Sequence, residues 1–164
     1  MFLRRWCIAI TCLLCNFVPL ESAHAHRSKL GALLIDHAYA VENPDKPGEF
    51  SVYFKELKNS GTTADFLQRA DTVIASETVF RAETHSVDHE IQWIEIKSIQ
   101  IAPGQSVVFR HDAEQGYQVL LRQLKRSIKV GDRFDMTLTF ERAGKVKVVV
   151  WVQRPRPGDK THQH

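Results

Sequence analysis

The chain has 164 residues, of which 43% are hydrophobic and 25% charged, and its formal net charge is +3. This composition is ordinary for one globular domain, so disorder, a collagen-like repeat and a long coiled coil are excluded. A net charge this small also excludes a nucleic-acid binder that acts through a basic surface.

The first 25 residues have the pattern of a cleaved signal peptide. Arg4 and Arg5 precede an apolar stretch over residues 6–20, and Ala23 and Ala25 are the small residues expected before the cut. The apolar stretch is shorter than the roughly 18 residues of a membrane span. We therefore expect residues 1–25 to be removed, which leaves no membrane span, although an uncleaved anchor is the alternative.

The processed chain is expected to begin at His26 and to contain no cysteine. All three cysteines lie in the predicted signal peptide, so disulfides, thiolate nucleophiles and thiolate metal ligands are lost with it. A lipoprotein cut before Cys15 is disfavoured because the bulky Leu14 precedes that cysteine.

The remaining sequence predicts an all-β domain over residues 26–152, followed by a polar tail over residues 153–164. Apolar and polar residues alternate strictly over residues 134–140, and valines repeat at every second position over residues 146–152, with Lys147 on the other face. Residues 143–145 join the two stretches as a hairpin turn. Shorter β-rich stretches separated by Gly, Pro and Asn indicate a sandwich of about eight strands. Residues 64–70 are the exception, because they fit one helical turn.

Enzyme chemistry finds little support in these residues. No Gly-x-Ser-x-Gly elbow or phosphate-binding glycine loop is present, and a processed chain of this size seldom provides a deep glycosidase cleft. We therefore expect a protein that is not an enzyme.

Histidines are the richer signal, because neutral imidazole binds Cu, Zn and Ni. His85 and His89 are four residues apart around a polar segment that could turn, and His111 lies shortly before Gly116. After cleavage, His26 would offer its α-amine and its imidazole to one ion. His162 and His164 form a weaker pair in the tail. The alternative for each is an ordinary surface histidine.

Several short motifs, spread over nearly the whole processed chain, appear in a specific order. They cover residues 26–31, 35–37, 50–54, 57–61, 101–107, 116–117, 124–125, 128–132 and 138–146. In this order and spacing the chain resembles the PCu(A)C-type periplasmic copper chaperones. The resemblance implies a cupredoxin-like Greek-key β-sandwich, a periplasmic location, a monomer, and a copper-accepting partner that is periplasmic or membrane-anchored.

The copper ligands of that family do not match this chain. The family holds Cu(I) with two His-x-Met pairs and a further Met, and the resemblance places these positions on residues 82–84, 118–120 and near Trp93 or Ile94. With Met1 in the signal peptide, Met136 is the only methionine left, and its alternation places it in the core.

Two functions therefore remain open. The first is copper handling through a histidine site of His26, His85, His89 and His111, with Cu(II) favoured over Cu(I) and zinc also possible. The second is a metal-free interaction module, which would expose an apolar patch of Trp93, Ile94 and Leu120 where the ligands used to be.

Overall fold

The computed structural model describes residues 27–43, 46–85, 91–109 and 116–154. Within these ranges all regular structure is β, in eleven strands. In chain order they are β1 (Arg27–Leu30), β2 (Leu33–Glu42), β3 (Phe50–Asn59), β4 (Asp65–Asp71), β5 (Ala75–His85), β6 (Ile91–Ile96), β7 (Ile99–Ile101), β8 (Ser106–Phe109), β9 (Tyr117–Leu124), β10 (Arg133–Phe140) and β11 (Gly144–Gln153).

The strands form one sheet in the order β6-β5-β9-β3-β2-β11-β10-β4-β7, with β1 paired to β2 and β8 paired to β3. Neighbours are antiparallel except β2 and β11, which are parallel. One apolar cluster is shared along the sheet, so the sheet folds over on itself as a sandwich. The predicted all-β fold is confirmed. The strands number more than about eight because β1, β7 and β8 are only three or four residues long.

The β10–β11 hairpin is built as its alternation predicts. The predicted inward residues of β10 are all buried, and so are Val148 and Val150 of β11, while Val146 is partly buried against the same cluster. Met136 is 0% exposed, which excludes it as a surface ligand. Each large apolar side chain buried in this way stabilises the fold by roughly 1.5–3 kcal/mol.

The helical turn predicted over residues 64–70 is wrong, because this segment is strand β4. Leu67 and Ala70 are both buried, although they are three residues apart. The register with β10 shifts between Thr139 and Phe140, and this bulge turns both side chains toward the core. Two buried apolar residues three positions apart therefore look like a helical period in the sequence, although the segment is a bulged strand.

In β2 and β3, the side of the strand that faces the core changes near the middle, at the same level in both strands. Ile35 and Ala38 both enter the core, and so do their partners Leu57 and Phe54. Between the first two lies His37, with a φ of 48°. This left-handed conformation is uncommon for a non-glycine residue, and it lets one strand present core residues on both sides of the switch.

Two buried polar side chains fasten the turns. The Asn59 amide nitrogen donates to the carbonyls of Thr63 and Ile101, at 2.8 and 3.1 Å, and its oxygen accepts from the Gly61 N–H. Asp65 is 5% exposed and accepts from the backbone of the β10–β11 turn. These bonds satisfy backbone groups that the sheet leaves unpaired.

Candidate metal site on the outer face of strands 5, 6 and 9

The outer face of β5 and β9 is defined by their register. Phe80 lies opposite Val119, and both side chains point into the core. Because side chains alternate along a strand, Arg81 and the facing Gln118 point outward. Leu120 of β9 shares this outer face, opposite Val79.

The family's first ligand pair, which the resemblance places at Ala82 and Thr84, does not share this outer face. Ala82 has the parity of the core residue Phe80, so it and Thr84 lie on the opposite face from Gln118. A single ion cannot be held from both faces of a strand. The residues that share the outer face with Gln118 and Leu120 are instead Glu83 and His85.

Glu83 and His85 form a carboxylate–imidazole pair at the end of β5. The distance from His85 Nε2 to Glu83 Oε1 is 3.9 Å, and their side chains are 39% and 3% exposed, respectively. The Glu83 N–H donates to the Gly116 carbonyl at 2.9 Å, which ties the end of β5 to the start of β9. A buried carboxylate beside a half-exposed imidazole provides two donors for a divalent cation.

The family's second ligand pair, which the resemblance places at Gln118 and Leu120, falls here on buried residues that hold the sheet together. Gln118 is 4% exposed, and its Oε1 accepts a hydrogen bond of 3.0 Å from the hydroxyl of Tyr53, which is 1% exposed. Leu120 is 2% exposed. An amide oxygen engaged in this way joins β9 to β3 and offers no thioether or imidazole to a metal.

Arginines occupy the middle of this face. Arg122 Nη2 lies 2.6 Å from Glu95 Oε1, and this hydrogen bond raises the pKa of Arg122. Burial, together with the charge of Arg122, lowers the pKa of Arg81. The Arg81 guanidinium donates to the Trp93 carbonyl at 3.4 Å and lies 5.9 Å from the indole ring centre. This positive charge disfavours a cation over Arg81 and leaves the Glu83 end as the favourable side.

Of the predicted metal ligands, only His85 lies in the described part of the chain, and His26, His89 and His111 lie outside it. The described residues contain no group of three or more His, Cys, Asp and Glu side chains placed to hold a metal. Sequence reasoning missed Glu83, although its alternation with the outward Arg81 is the signal that would have found it.

The predicted apolar patch does not form as one surface. Leu120 is 2% exposed, whereas Ile94 is 50% exposed and Trp93 is partly exposed. Trp93 pairs with Glu83 and Ile94 pairs with Ala82, so these two side chains lie on opposite faces of β6. Ile91, on the same strand β6, is 42% exposed. Among the residues described, no helix has the length and apolar character needed to cross a membrane.

Solved structures define the class of this fold. The apo PCuAC domain of PmoF2 is 23% identical, with a TM-score of 0.64, and the match covers 79% of this chain and 96% of that one. Its copper-bound form is 22% identical over 79% and 99%, with a TM-score of 0.64. The Cu(I) form of DR1885 from Deinococcus radiodurans is 21% identical over 85% and 88%, with a TM-score of 0.56.

The chain therefore has the fold of a PCuAC domain, and the resemblance inferred from its motifs is confirmed. The family whose model matches residues 33–152 is described as "Putative lipoprotein LpqE-like". The protein belongs to this LpqE-like family. No curated protein matches it.

Proposed function

We propose that the protein is an exported copper-handling protein that binds copper through nitrogen and carboxylate donors instead of a His/Met set. The observation that carries this proposal is the Glu83–His85 pair, which lies on the same face as the vacated positions Gln118 and Leu120. Copper-bound PCuAC domains share the fold, which supports copper as the metal.

The topology supports His89 and His111 as further ligands. The segment that contains His89 leaves β5 directly after His85, and the segment that contains His111 ends at Gly116, which is bonded to Glu83. The described residues His85 and Gly116, which adjoin these two segments in the chain, both lie at the end of the sheet that carries the carboxylate–imidazole pair.

This donor set favours Cu(II), with zinc as the alternative ion, because soft thioether ligands that select Cu(I) are missing. Since imidazole must be neutral to bind a metal, binding weakens as the pH falls below about 6.5. The protein acts as a carrier and not as an enzyme, with a copper-accepting periplasmic or membrane-anchored protein as its partner.

Processing at Ala25 is part of this proposal, with residues 1–25 as the signal peptide, residues 26–152 as the domain and residues 153–164 as the tail. The family description raises lipidation as the competing route. Intact mass of the exported protein separates the two, because cleavage yields a chain that begins at His26 and lipidation retains Cys15.

The central experiment is a competition titration of the processed protein with Cu(II) and Cu(I) chelators. We expect His85→Asn and Glu83→Gln to weaken Cu(II) binding. Glu77→Gln is the matched control, since Glu77 is an exposed carboxylate on the outer face of the same strand. Tight Cu(I) capture that survives both site variants would contradict the proposal.

A metal-free interaction module is the second candidate, and strand β6 favours it. This strand ends the sheet and carries the exposed Ile91 and Ile94 beside Trp93. A processed protein that binds neither Cu(II) nor Zn(II) at neutral pH would support this candidate over the first.

A further inference from the structure

Two loops lie side by side at the end of the sandwich where β9 finishes and β5 begins. Residues 72–74 join β4 to β5, and residues 125–132 join β9 to β10. The Lys125 N–H donates to the Ile74 carbonyl at 2.8 Å, which ties one loop to the other. We call residues 72–74 and 125–132 together the tip.

The tip presents two apolar side chains to solvent. Ile74 and Ile128 are 3% and 7% exposed and anchor the two loops in the core, whereas Val73 and Val130 are 82% and 51% exposed. Among the described residues, these two valines are the most exposed large apolar side chains. The loop of Val130 is fixed, because the N–H of the next residue, Gly131, donates to the end of β11 at 2.9 Å. Fixed and exposed apolar side chains that share one tip are typical of an interaction surface.

The same tip carries three exposed basic side chains, Lys125, Arg126 and Lys129. The described acidic side chains near this end each interact with another group of the protein; they are Glu42, Glu49, Asp71, Glu77, Asp132 and Asp135. The Asp132 carboxylate, for example, accepts the Lys129 N–H at 3.0 Å and stabilises the turn of the loop. None of these contacts pairs a described carboxylate with the side chain of one of the three basic residues, so the tip has an excess of positive charge.

We propose that the tip docks the processed protein on an anionic phospholipid bilayer. Lys125, Arg126 and Lys129 contact the headgroup phosphates, and Val73 and Val130 insert at the boundary with the acyl chains. Basic and apolar side chains on one surface are the combination that binds a membrane interface. An acidic protein surface would also attract the basic residues, but it offers no apolar phase to the valines, whose transfer from water is the favourable step.

The tip and the proposed metal site lie at opposite ends of the sandwich. Strand β5 begins beside the tip at Ala75 and ends at His85. At a rise of about 3.3 Å per residue, the two ends of this strand are roughly 30 Å apart. A protein docked by its tip therefore holds the Glu83–His85 pair away from the bilayer, where a partner can reach it. Docking goes beyond the proposed copper binding and does not depend on it.

The test measures how the metal-free processed protein, residues 26–164, partitions onto sedimented vesicles of two compositions. One is pure phosphatidylcholine, and the other contains equal parts of phosphatidylcholine and phosphatidylglycerol. The processed chain is used because the apolar stretch over residues 6–20 would bind any vesicle by itself. Leaving out metal keeps the result separate from copper binding.

The first variant reverses the charge of the tip and carries Lys125→Glu, Arg126→Glu and Lys129→Glu. Its matched control makes the same charge change with three exposed residues at the other end of the sandwich and carries Lys29→Glu, Arg142→Glu and Lys145→Glu. We expect the native processed protein to bind only the anionic vesicles. Each basic residue near an anionic surface contributes about fivefold to binding, so the tip variant should lose at least about 100-fold. The control should bind like the native protein, because charges far from the bilayer are screened.

The second variant removes the apolar contact and carries Val73→Ser and Val130→Ser. Its control carries Val108→Ser and Val149→Ser, two valines on β8 and β11 that are 42% and 41% exposed. We expect the tip variant to lose about tenfold in binding to the anionic vesicles, because membrane affinity scales with the apolar area inserted. The control should keep the native affinity. Equal midpoints of thermal unfolding show that each variant is folded.

Three results would overturn the inference for the charged residues: no binding to the anionic vesicles, equal binding to both compositions, or a charge-reversed tip that binds like its control. Full binding by the serine variant of the tip would also overturn it, because the valines would then not be inserted. Stronger binding to soluble polyglutamate than to the vesicles would overturn it in favour of an acidic protein partner.

Discussion

The hairpin β10–β11 and the outer face of β5, β6 and β9 are stabilised by different interactions, apolar burial in the first and mainly polar contacts in the second. The hairpin buries an uninterrupted apolar row and fastens its turn with a carboxylate. The outer face relies on ion pairs, an amide–hydroxyl bond and a half-exposed strand. Exposed ion pairs contribute little to stability. The chain can therefore change the residues of its outer face without losing the fold.

The largest expected contrast is between Leu138 and Ile94. Leu138 is 0% exposed and Ile94 is 50% exposed. Leu138→Ala should lower the free energy of unfolding by about 2–5 kcal/mol, because it leaves a cavity in the core. Ile94→Ala should change it by no more than about 0.5 kcal/mol. Urea denaturation measures both, and similar losses would show that strand β6 also carries the fold.

A smaller difference in the free energy of unfolding is expected between variants of a buried carboxylate, Asp65, and an exposed one, Asp135. Asp65 accepts from the N–H groups of Phe66, Arg142 and Ala143 at 2.8, 2.9 and 2.9 Å. Asp65→Ala should cost about 2–3 kcal/mol, because charged hydrogen bonds are lost and backbone donors are left unpaired. Asp65→Asn should fall between Asp65→Ala and the native protein.

Asp135→Ala is the control for Asp65, since Asp135 is an exposed carboxylate that pairs with Lys147 at 3.1 Å. It should cost less than about 1 kcal/mol. If the two alanine variants were equally stable, the turn of the hairpin would not depend on its buried carboxylate.

The smallest expected effect is that of Glu95→Gln, which removes the nearer of the two carboxylates that pair with Arg122, the other being Glu77 at 3.7 Å. The pair lies at the surface, so the loss should stay below about 1 kcal/mol and disappear as salt is raised toward about 1 M. The raised pKa of Arg122 means that its share of the stability is complete below its usual pKa and is lost only at still higher pH. Unfolding in low and high salt at neutral pH measures the effect, and a loss that persists in high salt would contradict it.

The sequence predicts the parts of this molecule that repeat locally. Strict alternation is enough by itself to place Met136 and Leu138 in the core. It does not predict the places where the alternation breaks, because the bulge in β4 and the positive φ of His37 depend on neighbouring strands and not on local residues. The same limit applies to the site. His85 stands out as a metal-binding residue type, whereas Glu83 stands out only through its alternation with Arg81, whose outward direction depends on the facing strand β9.

The parallel ladder of β2 and β11 has a consequence for folding kinetics. It joins Tyr39 to Trp151 and Val41 to Gln153, so its loop spans most of the chain. Contacts this distant in sequence slow folding, because the entropy of closing the loop is lost before the contact forms. A nascent chain cannot complete its sheet until its last strand is available. Until then β2 and β10 each lack a neighbouring strand, and the unfinished protein remains open to proteases and to wrong pairing.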